Sequence, residues 1–361
     1  MSDGDRRGDP LAEYRRKRDF GTTPEPAAQE QVEPTDDAAD GGRFVIQQHD
    51  ATRLHWDLRL EANGVLWSWA LPRGLPWDPN RNHLAVHTED HPIEYLTFEG
   101  DIPEGTYGAG HMTVWDQGRY ELLSRKNDKL VVRLYGSKAQ GRYSLFATRG
   151  DRDWMIHRMD PPADPDRRWP PEFVAPMSAA PGDPQEGDDW AWELRLSGLR
   201  VMTTLLPGAV RIHDATGAEV SERFADVRRL GRATGSVEAV LDGVIVAQPE
   251  HLERRMTLRP MSARQASESA PVELVVFDLV WLEGHPCWDR PWDERRAELE
   301  GLAIDGPAWS TAAVHLGEGP LFAEVATEHG MSGVVGKRRD SLYRPGETTP
   351  DWLDVKLGRP S

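Results

Sequence analysis

The sequence contains a single cysteine, Cys287, among 361 residues. One cysteine excludes an internal disulfide framework and a zinc site built from cysteine ligands, and it is typical of a protein kept in a reducing cytosol. No run of apolar residues approaches the length of about 18 that a membrane-spanning helix needs. The N-terminal stretch MSDGDRRGDPLAEYRRKRDF lacks the apolar core of a signal peptide. We therefore expect a soluble, cytoplasmic protein with no membrane partner.

Positive charge is also in short supply. Lysine and arginine number 43 against 60 acidic residues, which gives a formal net charge of −17. A broad surface that grips a nucleic acid backbone needs cations facing the phosphates, so this balance argues against one. Net charge acts mainly on long-range association, however, and does not exclude a small pocket for a phosphorylated end.

The patterns that are present predict two domains in a mainly β, α+β chain. Residues 1–42 are polar and rich in Asp, Glu, Pro, Gly and Ala, which favours a mobile arm. Residues 43–160 show short runs with two-residue alternation between turn signals, typical of an antiparallel barrel or sandwich. Residues 161–189 have the composition of a linker. Residues 190–361 form a second domain with strand-like runs such as VELVVFDLVWL and a helix near 292–302.

The stretch QQHDATRLHWDLRLE (47–61) carries the first candidate site. In a strand, His55, Asp57 and Arg59 share one face, and His49 can reach that face across a bend. Two imidazoles and a carboxylate suit Mn²⁺, Fe²⁺ or Zn²⁺, and an arginine beside them suits a phosphate. The alternative is a set of ordinary polar residues on the solvated face of a sheet.

A second cluster follows within HLAVHTEDHPIEYLTFEGDIPEGTYGAG (83–110). Its members are His83, His87, Glu89, His91 and Tyr95. The first four are separated by even numbers of residues, so a second strand could present them on one face to the first strand. Such groups would bind phosphate, act as a general acid, or orient metal-bound histidines. His87 is the weakest candidate and is expected to be exposed.

These motifs resemble the 3′-phosphoesterase module of bacterial DNA ligase D, an enzyme of non-homologous end joining. The resemblance runs from EYRRKRDFGTTPEP through RFVIQQHDATRLHWDLRLEANGVLWSWALPRG to GRYSLFATRGDRDWMIHRMD. It implies a compact β-barrel that uses Mn²⁺ to remove a 3′-phosphate, or a terminal 3′-ribonucleotide remnant, and leaves a 3′-OH.

The resemblance also implies roles for individual residues. The metal ligands it implies are His49, His55 and Asp57. Arg59 and His91 would contact the phosphate, with His91 also the acid for the leaving group, and Glu89 would orient a metal-bound histidine or water. The pocket-lining and substrate-contacting residues it implies are Gln47, Tyr95, Arg18, Asp19 and Glu25. Two positions depart from the family: His83 stands where an arginine is usual, and Arg73 where a lysine is common.

Residues 190–356 resemble the adenylyltransferase domain of ATP-dependent DNA ligases, through WAWELRLSGLRV, AVLDGVIVAQ, VVFDLVWLEG, SGVVGKRRDSLYRPG and WLDVKL. The domain would be an α+β nucleotidyltransferase-like fold. The position of the lysine nucleophile holds Arg195, whose guanidinium does not deprotonate in proteins. The position of its acidic partner in the same motif holds Ser197, and the positions of two metal-binding glutamates hold Val244 and Ser332. Gly198, Arg200, Lys337 and Lys356 keep the family's residues.

The sequence therefore predicts an inactive ligase-like domain, with no oligonucleotide-binding domain after Lys356. Whether that domain docks partners, senses DNA ends or only packs is left open. The whole chain is expected to be a Mn²⁺-dependent phosphoesterase that heals DNA 3′ ends, working with a Ku-like protein and a separate ligase. The alternative is a non-catalytic, end-binding scaffold. A third hypothesis, an active ligase, would be supported if incubation with ATP gave a covalent AMP adduct.

Overall fold

The computed structural model of the chain describes residues 9–27, 41–148, 150, 152–267 and 269–358. They divide into two compact units, Met1–Pro165 and Asp166–Ser361. Among these residues no helix combines the length and the apolar character needed to cross a bilayer. The parts of the expected mobile arm at 1–8 and 28–40 lie outside the described residues.

The first unit is a closed β-barrel. Its described strands are Gly41–Asp50 (β1), Leu54–Ala62 (β2), Val65–Leu71 (β3), His83–His87 (β4), Gly100–Ile102 (β5), Gly110–Lys126 (β6), Lys129–Tyr135 (β7), Gln140–Ala147 (β8) and Asp153–Arg158 (β9). The ring runs β1-β2-β3-β4-β9-β8-β7-β6 and closes because β6 also pairs with β1, while β5 attaches to β6. The barrel that the resemblance implied is confirmed; the alternation of residues alone had left a sandwich open.

The alternation along β1 and β2 divides their side chains between two faces. Phe44 pairs with Leu60 and Ile46 with Leu58, and all four are almost fully buried in one apolar cluster. The opposite face carries Gln47, His49, His55, Asp57 and Arg59. Because paired residues on neighbouring strands share a face, the register itself decides which polar groups meet.

Residues 9–27 are folded in the first unit, unlike the mobile arm that their composition suggested. A short helix, Ala12–Arg16 (α1), buries Leu11 and Tyr14 completely in the barrel's apolar cluster. The Tyr14 hydroxyl donates to the carbonyl of Pro26 at 2.7 Å. The average polarity of the segment does not reveal the buried Leu11 and Tyr14 or the ion pairs of its basic residues. A 3₁₀ turn, Ile93–Thr97, completes the unit's local structure.

The second unit contains two sheets. Its described strands are Ser178–Pro181 (β10), Trp190–Leu194 (β11), Leu199–Leu206 (β12), Ala209–Asp214 (β13), Ala239–Val246 (β14), Glu273–Leu282 (β15), His285–Pro286 (β16), Trp309–Thr311 (β17), His315–Leu316 (β18), Gly333–Arg338 (β19) and Thr348–Lys356 (β20). One sheet has the order β10-β20-β19-β11-β18; the other has β13-β12-β14-β15-β16, with β17 also paired to β15. The helices are Leu230–Ala233 (α2), Pro249–Thr257 (α3), Pro260–Gln265 (α4), Trp292–Gly301 (α5) and Gly319–Glu328 (α6), with 3₁₀ turns at Ser221–Arg223 and Val227–Arg229. The helix expected near 292–302 is α5.

The predicted linker 161–189 differs from the structure in its C-terminal part. Residues from Asp166 belong to the second unit, where Arg167 bonds Glu238 and β10 adds a parallel strand to β20. Met177 is fully buried there. A segment rich in proline and aspartate can thus pack in extended form. Its composition does not reveal the few residues whose contacts hold it in place.

Candidate metal and phosphate site

Pairing of β1 with β2 brings two histidines and an aspartate together. His49 lies opposite His55, and Gln47 lies opposite Asp57, so all four share one face. The Asp57 carboxylate is 3.7 Å from His49 Nδ1 and 3.7 Å from His55 Nε2. One ligand atom from each of the three residues lies within 4.8 Å of the others, so the cluster can hold a metal ion.

Backbone carbonyls fix which nitrogen of each ring is free to bind a metal. His49 Nε2 lies 2.9 Å from the Gly108 carbonyl, and His55 Nδ1 lies 2.9 Å from the Arg53 carbonyl. A carbonyl oxygen only accepts, so these nitrogens carry the protons in the neutral rings. The unprotonated His49 Nδ1 and His55 Nε2 therefore face Asp57. Two lone pairs turned toward a carboxylate repel one another unless a cation lies between them, and this donor set fits a divalent transition metal.

Arg59 is held beside the cluster by three side chains. Its Nε donates to Gln47 Oε1 at 2.8 Å, and its other two nitrogens donate to Ser68 Oγ and to Asp57, each at 3.0 Å. Burial raises the pKa of Asp57, but Arg59 and the two imidazoles outweigh that effect and hold its pKa well below the usual range. Asp57 is thus an ionised ligand.

His91 lies on the same face because it bridges Leu66 of β3. Its Nδ1 donates to the Glu89 carbonyl at 2.8 Å, and its Nε2 faces Arg18 Nη2 at 3.3 Å. Burial, followed by the charges of Arg59 and Arg18, lowers the pKa of His91 well below its ordinary value. The ring is therefore neutral, and its Nε2 is an acceptor.

Residues 9–27 close the site from one side through ion pairs. Arg18 bonds Glu25 at 2.7 Å and Glu89 at 2.9 Å. Glu25 also accepts a short hydrogen bond from the Tyr95 hydroxyl. Lys17 bonds Glu89 at 2.8 Å. The sequence interpretation missed Lys17, although it lies within EYRRKRDFGTTPEP, a segment through which the family resemblance runs.

Gln47 and Tyr95 support the site from within the barrel wall. Gln47 is fully buried and donates to the carbonyls of Tyr95 at 3.0 Å and Phe98 at 2.8 Å. The Tyr95 ring lies 4.7 Å from the Arg59 guanidinium and 4.8 Å from the His91 ring. Gln47 therefore holds Arg59 in place, and Tyr95 connects Arg59 to the arm.

Other expected site residues lie elsewhere. Pairing of Trp69 with His87 places His87, and by alternation His83, on the face opposite Asp57. His83 Nδ1 lies 2.9 Å from the Gly74 carbonyl, and its backbone pairs with Ile156. The expectation that β4 presents its histidines to the face of Asp57 is therefore wrong. Only Glu89 and His91, which follow the end of the strand, lie on the side of the candidate metal ligands.

Two further expectations, for His87 and Glu89, need correction, while the substrate contacts expected of Arg73 and Asp19 stay predictions. His87 is half-buried, not exposed, with its ring 5.4 Å from that of Trp69. Both oxygens of Glu89 bind the arm, and carbonyl groups orient the two metal-facing histidines instead. Arg73 and Asp19 are exposed, and the Asp19 carboxylate caps its own turn by accepting from the Gly21 amide at 3.0 Å.

The second unit contains a cavity of about 220 Å³ at the ligase-like motifs. Arg195 lines it and pairs with Asp354 at 2.8 Å. Lys337 is buried, bonds Glu193 at 2.9 Å and lies 4.4 Å from the Phe277 ring. Burial raises the pKa of Glu193 and lowers that of Lys337. In both residues burial therefore disfavours the charged form of the side chain.

The remaining ligase-like positions surround the same cavity or lie at its margins. Arg200 is on its wall and holds Asp242 through two contacts of 2.6 Å. Val244 is also on the wall, where a carboxylate was expected in an active enzyme. Ser197, Ser332 and Lys356 are exposed.

Comparison with known proteins agrees with this geometry. Residues 47–147 match the DNA ligase D 3′-phosphoesterase domain family, and residues 179–356 match the ATP-dependent DNA ligase domain family. The multifunctional non-homologous end joining protein LigD of Mycolicibacterium smegmatis is 38% identical over 97% of this chain and 46% of its own length. The LigD proteins of Mycobacterium tuberculosis and Pseudomonas aeruginosa are 37% and 34% identical over 96% of this chain, and over 45% and 47% of their own lengths. A solved structure of mycobacterial DNA ligase D with ATP and MES is 28% identical, with a TM-score of 0.44, over 51% of this chain and 60% of that chain.

The chain thus combines a 3′-phosphoesterase domain with an ATP-dependent DNA ligase domain after it. It is homologous to LigD, which confirms the resemblance drawn from its motifs. The chain spans about half the length of the curated relatives it matches.

Proposed function

We propose that the barrel unit is a Mn²⁺-dependent phosphoesterase that removes 3′-phosphates or 3′-terminal ribonucleotide remnants from DNA ends, leaving a 3′-OH. The observation that supports this proposal is the convergence of His49 Nδ1, His55 Nε2 and the Asp57 carboxylate beside Arg59. A metal ion held there would neutralise phosphate charge and make a bound water more acidic. The LigD relatives support a role in a preparative step of non-homologous end joining, and we propose that this step takes place in the cytoplasm.

Residues of this chain would hold and orient the phosphate. Arg59 uses three of its five N–H groups on Gln47, Ser68 and Asp57, so its plane is fixed before substrate arrives. Arg18 and the neutral Nε2 of His91 face each other near it. A dianionic phosphate between them would favour the protonated form of His91, which the role of general acid requires. Tyr95 and Glu25 would keep Arg18 in place.

We propose no direct phosphate contact for His83. Its bond to the Gly74 carbonyl lies on the other side of the sheet from Asp57, so its part would be to brace the turn that carries Arg73. Exposed Arg73 and Asp19 would reach only the substrate's flanking nucleotides. The usual arginine's contribution to phosphate binding would then fall to Arg18 and Arg59.

We further propose that the second unit does not form an enzyme–AMP adduct. Arg195 replaces the nucleophile, and its guanidinium is already paired with Asp354. Lys337 and Arg200 are paired with Glu193 and Asp242 in the same way. The unit would then act as a docking module for a DNA end, a Ku-like protein or a separate ligase.

The test is phosphate release from a 3′-phosphorylated primer–template with and without Mn²⁺. We expect release by the full chain, loss in His55→Ala, and retention in His157→Ala. His157 is a matched control because it lies in β9 of the same barrel and bonds Asn82, outside the cluster. Tight binding by the unaltered chain without turnover would contradict the proposal and support the scaffold alternative. A covalent adduct on incubation with ATP would contradict the proposal for the second unit.

A further inference from the structure

A glycine-rich loop, residues 105–110, connects the metal cluster to the surface. Its Gly108 carbonyl is the acceptor that fixes the His49 ring. Gly110 has φ +149°, and a Cβ there would lie 2.4 Å from the Asp50 carbonyl oxygen, so the loop is pressed against the end of β1. Gly105 and Gly108 also have positive φ, of +84° and +77°. The path of this loop is therefore fixed beside the site.

Tyr107 is the large side chain that this loop presents. It is 49% exposed although it lies next to the residue that orients a candidate metal ligand. Lys17 Nζ donates to its hydroxyl at 3.2 Å and lies 4.7 Å from the ring centroid. The Arg18 guanidinium lies 5.5 Å from the same centroid. The ring is thus restrained by cations and still open to solvent.

The two cations connect Tyr107 to the proposed phosphate pocket. Both bond the buried carboxylate of Glu89, and Arg18 also faces His91. An exposed aromatic ring beside lysine and arginine is the combination with which proteins bind an unpaired nucleotide, since the ring stacks on the base and the cations attract the backbone. Among the described residues Tyr107 is not part of the barrel's apolar cluster, so core packing does not account for its position.

We propose that Tyr107 is a stacking surface for the terminal nucleoside of the strand whose 3′-phosphate enters the pocket. The inference rests on the proposed function and makes Tyr107 a specificity-determining residue. It separates a nucleic acid end from other phosphate monoesters, because the phosphate contacts alone do not sense a base. Lys17 and Arg18 orient the ring.

The test measures binding apart from turnover. A primer–template with a 3′-phosphate and an unpaired 2-aminopurine as its terminal base is titrated with the full chain, without added metal. Anisotropy of a label on the distal end gives the Kd, and 2-aminopurine fluorescence reports stacking. We expect Tyr107→Ala to raise the Kd by roughly 5- to 100-fold and to remove the quenching. Tyr107→Phe, which keeps the ring without the hydroxyl, should stay near the unaltered chain.

Tyr135→Ala is the matched control, since Tyr135 is a 53% exposed tyrosine on β7 of the same barrel, bonded to Glu121. The proposal is overturned if Tyr107→Ala binds as the unaltered chain does, or if Tyr107→Phe and Tyr107→Ala are equally impaired, because the hydroxyl's bond to Lys17 would then be what matters. It is also overturned if Tyr107→Ala binds more weakly but, at saturating protein, still quenches 2-aminopurine as strongly as the unaltered chain does. Absence of phosphate release by the unaltered chain contradicts only the proposed hydrolysis, because both readouts here precede it.

Discussion

Arg18→Met should release the segment 9–27 from the barrel. The Arg18 side chain is 5% exposed and bridges Glu25 and Glu89, whose side chains are 1% and 2% exposed. Removing one partner of a buried ion pair costs about 3–5 kcal/mol. The lower end applies here, because Lys17 still bonds Glu89 and the Tyr95 hydroxyl still bonds Glu25. A cost of about 3 kcal/mol raises the opening constant of the segment roughly a hundredfold.

Native-state proteolysis measures this opening. Thermolysin cleavage near Leu11 and Phe20, followed by mass spectrometry, tracks the population of the open form when closing is fast. Arg16→Met is the matched control: the same substitution removes a side chain that is 76% exposed, and it should change cleavage little. An acceleration of less than fivefold in Arg18→Met would refute the claim that these ion pairs hold the segment.

The same contacts make the docking of this segment sensitive to acid. Burial raises the pKa of Glu89, but the hydrogen bonds from Lys17 and Arg18 outweigh it, so its pKa is lowered in the folded state. A carboxyl group with a lowered pKa stabilises the folded state fully above its unfolded pKa, about 4.3, and loses that contribution as the pH falls through the folded value. Cleavage of the segment by pepsin, a protease that is active in acid, should therefore increase below about pH 4.

Three further substitutions test other parts of the chain. Asp57→Asn should weaken Mn²⁺ binding by at least about a hundredfold in calorimetry, because it removes the one anionic ligand and the loss should exceed that for outer-shell partners. Asp116→Asn should lower the barrel's unfolding free energy by about 2 kcal/mol in urea, since Asp116 accepts four N–H and O–H groups and an amide would turn donors toward two of them. Lys337→Met should destabilise the second unit by about 3–5 kcal/mol by leaving Glu193 buried and unpaired, and adding Glu193→Leu should recover most of the loss. Additive effects in that double variant would contradict the assignment of the pair.

The face shared by His55, Asp57 and Arg59 could be predicted because strand alternation is a local rule. The position of His49 was harder to predict, because it depends on the register of β1 against β2. The short turn between the two strands sets that register. His83 shows where the rule stops. Even spacing groups His83 with His91, but β4 ends at His87, and the chain between changes which face is presented.

The orienting groups of the site could not be read from residue types. The histidine tautomers depend on carbonyls of Arg53 and Gly108, and every residue has a carbonyl, so no side-chain pattern signals them. The prediction of a mobile arm failed for residues 9–27 for another reason. Their average composition is polar, but their docking on the barrel depends on three individual residues, Leu11, Tyr14 and Arg18. Family resemblance named Arg18 and Glu25, but only the contacts show that they bind each other.

The two candidate sites differ in how their charges are matched, and this difference explains why one can take a metal ion. In the second unit, Arg195 with Asp354 and Lys337 with Glu193 are closed pairs of opposite charge. A cation entering there would have to displace a guanidinium or an ammonium group from its carboxylate.

In the barrel, Arg59 and His49 Nδ1 approach one oxygen of the Asp57 carboxylate, and His55 Nε2 approaches the other. The carbonyls of Gly108 and Arg53 hold the proton of each ring on the far nitrogen, so the near nitrogens offer only lone pairs. Protons compete with the metal for these two ring nitrogens, because a proton on either one takes up the lone pair that would bind the metal. Mn²⁺ affinity should therefore fall with decreasing pH in the unaltered chain, and a pH-independent affinity would contradict this arrangement of donors.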